Sequence, residues 1–148
     1  MAKKKSGSAS RKVGRDVDRK KVHRASGADL ASMGEEQILR VRRLCSTLPG
    51  SMEKLSHGEP TFFVAKKVFA MFANNHHNDG HVAVYIPVEP GYQATLLKSS
   101  PEKYFYPPYV GVKGWIGIEL ARVEEDELAQ HLIEAWKLIG TKKTQKRS

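Results

Sequence analysis

The sequence has one cysteine, Cys45, and no run of 18 consecutive apolar residues. A single thiol excludes a disulfide framework within the chain and a cysteine-rich zinc site. Without an apolar run we expect no membrane-spanning helix and no membrane partner. Because no apolar segment follows Lys3, Lys4 and Lys5, we expect no secretory signal and a reducing, cytoplasmic setting. With 148 residues, 40% of them apolar, the chain is long enough for one domain with a buried core.

Aromatic residues are missing from residues 1–33, where positive charge is concentrated instead. The net charge of +9 is made of +7 in residues 1–33, +4 in 141–148 and −2 in 34–140. The apolar area that residues 1–33 could bury is too small to offset the chain entropy that they would lose on folding. We therefore predict a disordered basic extension over 1–32, a folded domain over 33–140 and a basic tail over 141–148.

The two ends are candidates for contacts with phosphates of DNA or RNA, at low sequence specificity. The other interpretation is that they only keep the chain soluble. Their basic side chains are Lys3, Lys4, Lys5, Arg11, Lys12, Arg15, Arg19, Lys20, Lys21, Arg24, Lys142, Lys143, Lys146 and Arg147.

Helices are predicted near both ends of the folded part. The S-x-x-E pattern beginning at Ser32 predicts a capping box and a helix over about 33–47, with Cys45 on its apolar stripe. A second, short helix is predicted over 91–99, followed by a turn that extends to Tyr104. The acidic run 124–127 begins a third helix over 124–139, which Gly140 is expected to end.

Strands are predicted over 61–65, 67–73, 81–88 and 113–120 from their β-branched and aromatic residues. Alternation places Ile116, Ile118 and Leu120 on one face of the last strand, under the helices, with Trp115 on the other. The element order predicts an α+β fold, a two-layer sandwich with a largely antiparallel sheet and terminal helices on one face.

Four segments in this order resemble the MmcQ/YjbR-like family: 48–50 (LPG), 56–62 (SHGEPTF), 107–111 (PPYVG) and 114–117 (GWIG). The resemblance covers about 34–140. It implies a small frataxin-like (CyaY-like) α+β sandwich, which agrees with the predicted element order. Members are commonly labelled DNA-binding, and no catalytic residue set is established for them.

The aromatic segment 104–115 suggests a site on the sheet face opposite the helices. It could provide a stacking platform for bases or one wall of a pocket for a small molecule or peptide. The candidate pocket residues are His57, Glu59, Pro108, Tyr109 and Trp115. The alternative is that 104–111 folds over the sheet and buries Trp115 in a small second core.

Catalysis and metal binding receive little support. His57 and Glu59 have the chemistry of an acid/base pair, but a turn leading into a strand also explains them. His76, His77, Asp79 and His81 have metal-ligand chemistry but lie in a predicted hairpin loop, so we expect no metal. We also expect no iron site, because the first helix has no ridge of carboxylates. No cofactor motif is present, and no catalytic residue is assigned.

We therefore predict a non-enzymatic protein that binds nucleic acid mainly through its basic ends. The alternative is a module that binds a small molecule or peptide around 104–115. A basic stripe beside Trp115 would favour nucleic acid, whereas an apolar cleft with converging polar groups would favour a ligand.

Overall fold

The computed structural model describes residues 27–75 and 79–147, with side chains over 33–75 and 79–141. The predicted extension therefore lies largely outside the described residues. Nine regular elements follow one another in this part of the chain: α1 (Gly27–Cys45), β1 (Met52–Ser56), β2 (Glu59–Val64), β3 (Lys67–Asn74), β4 (Val82–Ile86), α2 (Tyr92–Ser99), β5 (Tyr104–Phe105), β6 (Ile116–Glu119) and α3 (Glu125–Arg147).

The strands form one antiparallel sheet in the order β1-β2-β3-β4-β6-β5. Tight turns join the first three strands, so neighbours in sequence are also neighbours in space. The helices α1 and α3 pack over one face of the sheet. This is the predicted α+β two-layer sandwich, and the fold class is confirmed.

Side-chain alternation divides the buried residues into two clusters. On β4, Val82, Val84 and Ile86 join the main core under the helices, whereas Ala83 and Tyr85 belong to a smaller cluster on the opposite face. Ile116, Ile118 and Leu120 are also in the main core, as their spacing predicts. The second face is thus partly covered, and it is where the candidate site lies.

Both terminal helices are longer than predicted. The helix α1 begins at Gly27, so the S-x-x-E pattern at Ser32 lies inside it and does not cap it. Ala28 and Ala31, which have high helix propensity, favour this earlier start. At the other end, α3 continues through Gly140 to Arg147. One glycine costs only about 1 kcal/mol, and Lys, Gln and Arg favour the helix beyond it.

Two strands were missed by the sequence analysis. The strand β1 is an exposed edge strand whose sequence, MEKLS, has no β-branched residue. The two-residue strand β5 occupies the opposite edge and pairs with β6, where a helical turn was predicted through Tyr104. The other predicted strands are present, although two are shorter than predicted: β4 spans Val82–Ile86 within the predicted 81–88, and β6 begins only at Ile116.

Candidate functional site: an apolar cavity on the open face of the sheet

A cavity of about 420 Å³ lies on the sheet face away from α1 and α3. Its lining combines residues of the four neighbouring strands β1 to β4 and the β1–β2 turn with one loop from far along the chain: Ser56, His57, Glu59, Thr61, Met71, Phe72, Ala73, Tyr85, Pro108, Tyr109 and Val110. Apolar and aromatic side chains predominate. The ionisable groups other than tyrosine come only from the β1–β2 side.

A two-residue hairpin turn between β1 and β2 positions these polar groups. His57 and Gly58 both have positive φ, of 55° and 82°, which is the requirement of a type I′ turn. The turn places Ser56 opposite Glu59 in the ladder. Ser56 Oγ and His57 Nδ1 are 3.3 Å apart. Two polar residues and a histidine are therefore held together at one side of the cavity.

Glu59 is fixed by contacts within the sheet. Its Oε2 accepts a hydrogen bond from the backbone N–H of Asn74 at 3.2 Å. Its carbonyl oxygen accepts one from the Thr61 hydroxyl at 3.1 Å, and Thr61 is only 1% exposed. The carboxylate thus has a defined position beside the cavity.

The opposite wall is a strained loop. Tyr109 has φ 66° and ψ −61°, and the Val110 N–H donates to the Pro108 carbonyl at 2.6 Å. Together these define a γ-turn of the rare positive-φ type. Gln93 on α2 stabilises this loop, because its Nε2 donates to the carbonyl oxygens of Gly111 at 2.8 Å and Trp115 at 2.6 Å. Such strain persists only where surrounding contacts hold it, and it is concentrated at functional sites.

Tyr85 contributes to the floor of the cavity. It is 5% exposed, and its hydroxyl has no hydrogen-bond partner among the residues that the structure describes. Burial, with the nearby carboxylates of Asp79, Glu59 and Glu119, raises the pKa of Tyr85 to about 12. The phenol is therefore neutral at physiological pH, in a negative electrostatic environment.

Trp115 is not among the lining residues. It is half-buried and packs against the second cluster, whose buried members are Ala73, Ala83 and Tyr85. The space beside Gly117 is filled by the Phe105 ring, because a Cβ at Gly117 would lie 2.6 Å from it. The surroundings of Trp115 therefore agree better with the alternative interpretation, a residue of a small second core, than with a pocket residue.

The candidate metal residues serve other purposes where they are described. His81 Nδ1 is hydrogen-bonded to the Glu119 carboxylate, and its ring stacks on Phe105 with centroids 3.9 Å apart. His76 and His77 lie outside the described residues. Among the side chains that are described, no group of three or more His, Cys, Asp or Glu could hold a metal ion. Cys45 is buried in the main core, which raises its pKa to about 12 and leaves the thiol protonated.

Four of the five predicted pocket residues line this cavity: His57, Glu59, Pro108 and Tyr109. Sequence reasoning missed the strand residues of the floor, chiefly Met71, Ala73 and Tyr85. The available signal was the strand predicted over 81–88, because alternation along it puts Tyr85 on the face opposite Val84 and Ile86. The fourteen basic side chains proposed for phosphate contacts all lie outside the described side chains.

The comparisons with known proteins agree with this fold. A model of the family YjbR matches residues 46–138, well over half of the chain. The chain belongs to the YjbR family. Its fold is similar to the crystal structure of Deinococcus radiodurans protein DR2400, described by the family-model domain DUF419, with a TM-score of 0.60 and 19% identity over 69% of this chain and 77% of that one. No curated protein shows significant sequence similarity to it. In the described part of this YjbR-family chain, no helix is both long and apolar enough to cross a membrane.

Proposed function

We propose that this YjbR-family protein binds a small, largely apolar molecule in the cavity between the β1–β2 turn and the 108–110 loop. The observation that carries the proposal is the cavity itself. Its volume of about 420 Å³ lies in the range of small-molecule sites, which are mostly apolar with a few polar groups that fix orientation. The converging polar groups are Ser56, His57 and Glu59.

Binding without catalysis is part of the proposal. The Glu59 carboxylate accepts a hydrogen bond from the Asn74 backbone, and the His57 ring lies beside the Ser56 hydroxyl. These contacts hold the hairpin and the adjoining strand. These contacts account for Ser56, His57 and Glu59 at these positions without a catalytic role for them.

The test uses the neutral fluorescent dye N-phenyl-1-naphthylamine and a pair of matched variants. Val110 lines the cavity, whereas Val112 is 81% exposed on the same loop and does not line it. We expect saturable binding of one dye per chain, weakened at least about tenfold by Val110→Trp, which fills the cavity, and unchanged by Val112→Trp. Equal effects of the two substitutions, or the absence of saturable binding, would contradict the proposal.

A second function, binding of DNA or RNA, is supported by the charge distribution. The two ends carry fourteen basic residues, whereas residues 34–140 have a net charge of −2. Flexible or helical basic segments bind phosphates through counterion release and with little sequence preference. Two other expectations from the sequence remain predictions: the cytoplasmic location of the protein and the similarity of its fold to that of frataxin.

The experiment for this second function compares the full chain with a variant in which the basic residues of both ends are replaced by glutamine. Substitution leaves α3 at its full length to Arg147. Duplex binding by the full chain should weaken steeply with salt, by about −0.9 in log–log slope for each neutralised phosphate. The variant should not bind at physiological salt. No binding by the full chain at low salt would remove this function.

A further inference from the structure

We propose that the outer edge of β1 is a docking strand for an extended acidic peptide, which joins the sheet antiparallel to β1 and places a carboxylate opposite Lys54. Peptide docking at this edge does not require a ligand in the cavity. Three features of β1 support it: an open backbone, exposed apolar side chains and the charge of Lys54.

The strand β1 has an open backbone on one side. It pairs with β2 and has no second neighbour in the strand order. Because a two-residue turn joins β1 to β2, Ser56 and Glu59 form a hydrogen-bonded pair of the ladder. Alternation then directs the N–H and C=O groups of Glu53 and Leu55 away from β2. Two donors and two acceptors therefore face the side on which a further strand would add.

This edge lacks most of the features that keep edge strands from pairing. Proteins commonly protect an edge by a very short strand, by proline, by a bulge or by cover from another element. The opposite edge, β5, has two residues and contacts α2. By contrast, β1 has five residues and no proline, and its Met52 and Leu55 are 59% and 75% exposed. The edge of β1 is therefore suited to receive another strand.

The two faces of β1 differ in charge. Glu53 faces the helix side, where Arg42 on α1 donates hydrogen bonds of 2.7 and 2.6 Å to its carboxylate. That negative charge is therefore already compensated. Lys54 faces the open side, and its Nζ lies 5.5 Å from the centroid of the Phe63 ring. An opposite charge directly across from Lys54 strengthens strand pairing, whereas a like charge weakens it.

A peptide suits this edge better than a second copy of the chain. In the antiparallel pairing of two copies that matches all five residues of β1, Lys54 lies opposite Lys54 of the second copy, which is unfavourable. Within β1, the exposed apolar side chains are Met52 and Leu55. They supply far less than the roughly 1,000 Å² that a stable interface buries. A peptide with a carboxylate opposite Lys54 gains the same backbone hydrogen bonds without the repulsion.

The alternation of β1 also specifies the neighbours of that carboxylate. From its N-terminus, an antiparallel peptide has an apolar residue opposite Leu55 and an acidic residue opposite Lys54. A neutral residue opposite Glu53 and an apolar residue opposite Met52 follow. The partner is therefore an extended segment with the pattern apolar, acidic, neutral, apolar.

The test titrates the full chain, observed by ¹H–¹⁵N NMR, with two peptides that carry blocked ends: Thr-Val-Glu-Thr-Val-Thr and Thr-Val-Lys-Thr-Val-Thr. We expect the Glu peptide to bind about three- to tenfold more tightly than the Lys peptide. Binding should also slow hydrogen exchange of the Glu53 and Leu55 amides, because these face away from β2. Binding without this protection would mean that the peptide lies elsewhere and would overturn the proposal.

Two matched variants locate the charge preference. Lys54→Glu should reverse it, so that the Lys peptide binds more tightly than the Glu peptide. Lys98→Glu makes the same change on an exposed residue of α2, which contacts the opposite edge of the sheet. It should leave the preference for the Glu peptide intact. Equal changes in both variants would show a general charge effect and overturn the inference.

The remaining outcomes separate the possible occupants of the edge. If the Glu53 and Leu55 amides become protected as the concentration of the protein alone is raised, a second copy occupies β1 and the peptide proposal is wrong. Equal binding of the two peptides would overturn the preference for acidic segments. Binding of neither peptide would overturn docking at this edge, whatever the dye shows for the cavity.

Discussion

Replacing Tyr85 by phenylalanine should stabilise the protein, although Tyr85 is almost completely buried. Its hydroxyl is desolvated and has no hydrogen-bond partner among the described residues. A buried polar group left unpaired costs about 1–3 kcal/mol. Removing the oxygen removes that cost and keeps the ring, whose edge-to-face contact with Phe105 has a centroid distance of 6.0 Å. We expect a gain of roughly 1 kcal/mol in unfolding free energy, or about 3–6 °C in the thermal midpoint.

Tyr104 supplies a matched control. It has the same 5% exposure as Tyr85, but its hydroxyl is hydrogen-bonded to His131 Nε2 at 2.8 Å. Tyr104→Phe should therefore destabilise the protein by roughly 1 kcal/mol, because a hydrogen bond is lost and its partner remains. Urea unfolding followed by far-UV circular dichroism measures both variants. A loss of stability in Tyr85→Phe equal to that in Tyr104→Phe would refute the reasoning, since it would mean that the Tyr85 hydroxyl has a partner.

Three further predictions concern other parts of the domain. Ala65 and Lys66 form the β2–β3 turn with φ of 52° and 67°, so Lys66→Gly should raise the unfolding free energy by roughly 0.5–1 kcal/mol in urea titrations. Gly117→Ala should lower it by roughly 1–3 kcal/mol, because the new methyl group would displace the Phe105 ring. Burial lowers the pKa of His131, so stability present above the unfolded-state pKa of about 6.5 should be lost as pH falls through the lower folded-state pKa. Thermal midpoints measured between pH 7 and pH 5 should fall less in His131→Gln than in the unsubstituted protein.

The cavity shows which features of a site local sequence patterns predict and which they do not. Residues 56–60 predict a turn leading into a strand, and 107–111 predict a stiff aromatic loop, but neither segment specifies that the two meet. The β1–β2 hairpin positions the first segment, while the second is held through Gln93 on a different helix. The position of Gln93 as a loop anchor has no periodic signature in the sequence. Trp115 shows the converse, because its residue type suggests a pocket but its position immediately before β6 places it against the second cluster.

From the sequence alone it was possible to predict the fold class, the two faces of β6 and the concentration of positive charge at the chain ends. These follow from side-chain periodicity and composition, which act over a few residues at a time. Tertiary structure decided the exposed strand β1, whose polar sequence forms a strand because the adjoining hairpin supplies a pairing partner. It also decided the assembly of the cavity from segments about fifty residues apart in sequence. Contacts between segments that are distant in sequence depend on loop geometry and packing. No single segment specifies these, whereas the alternation of side chains along a strand is a local property.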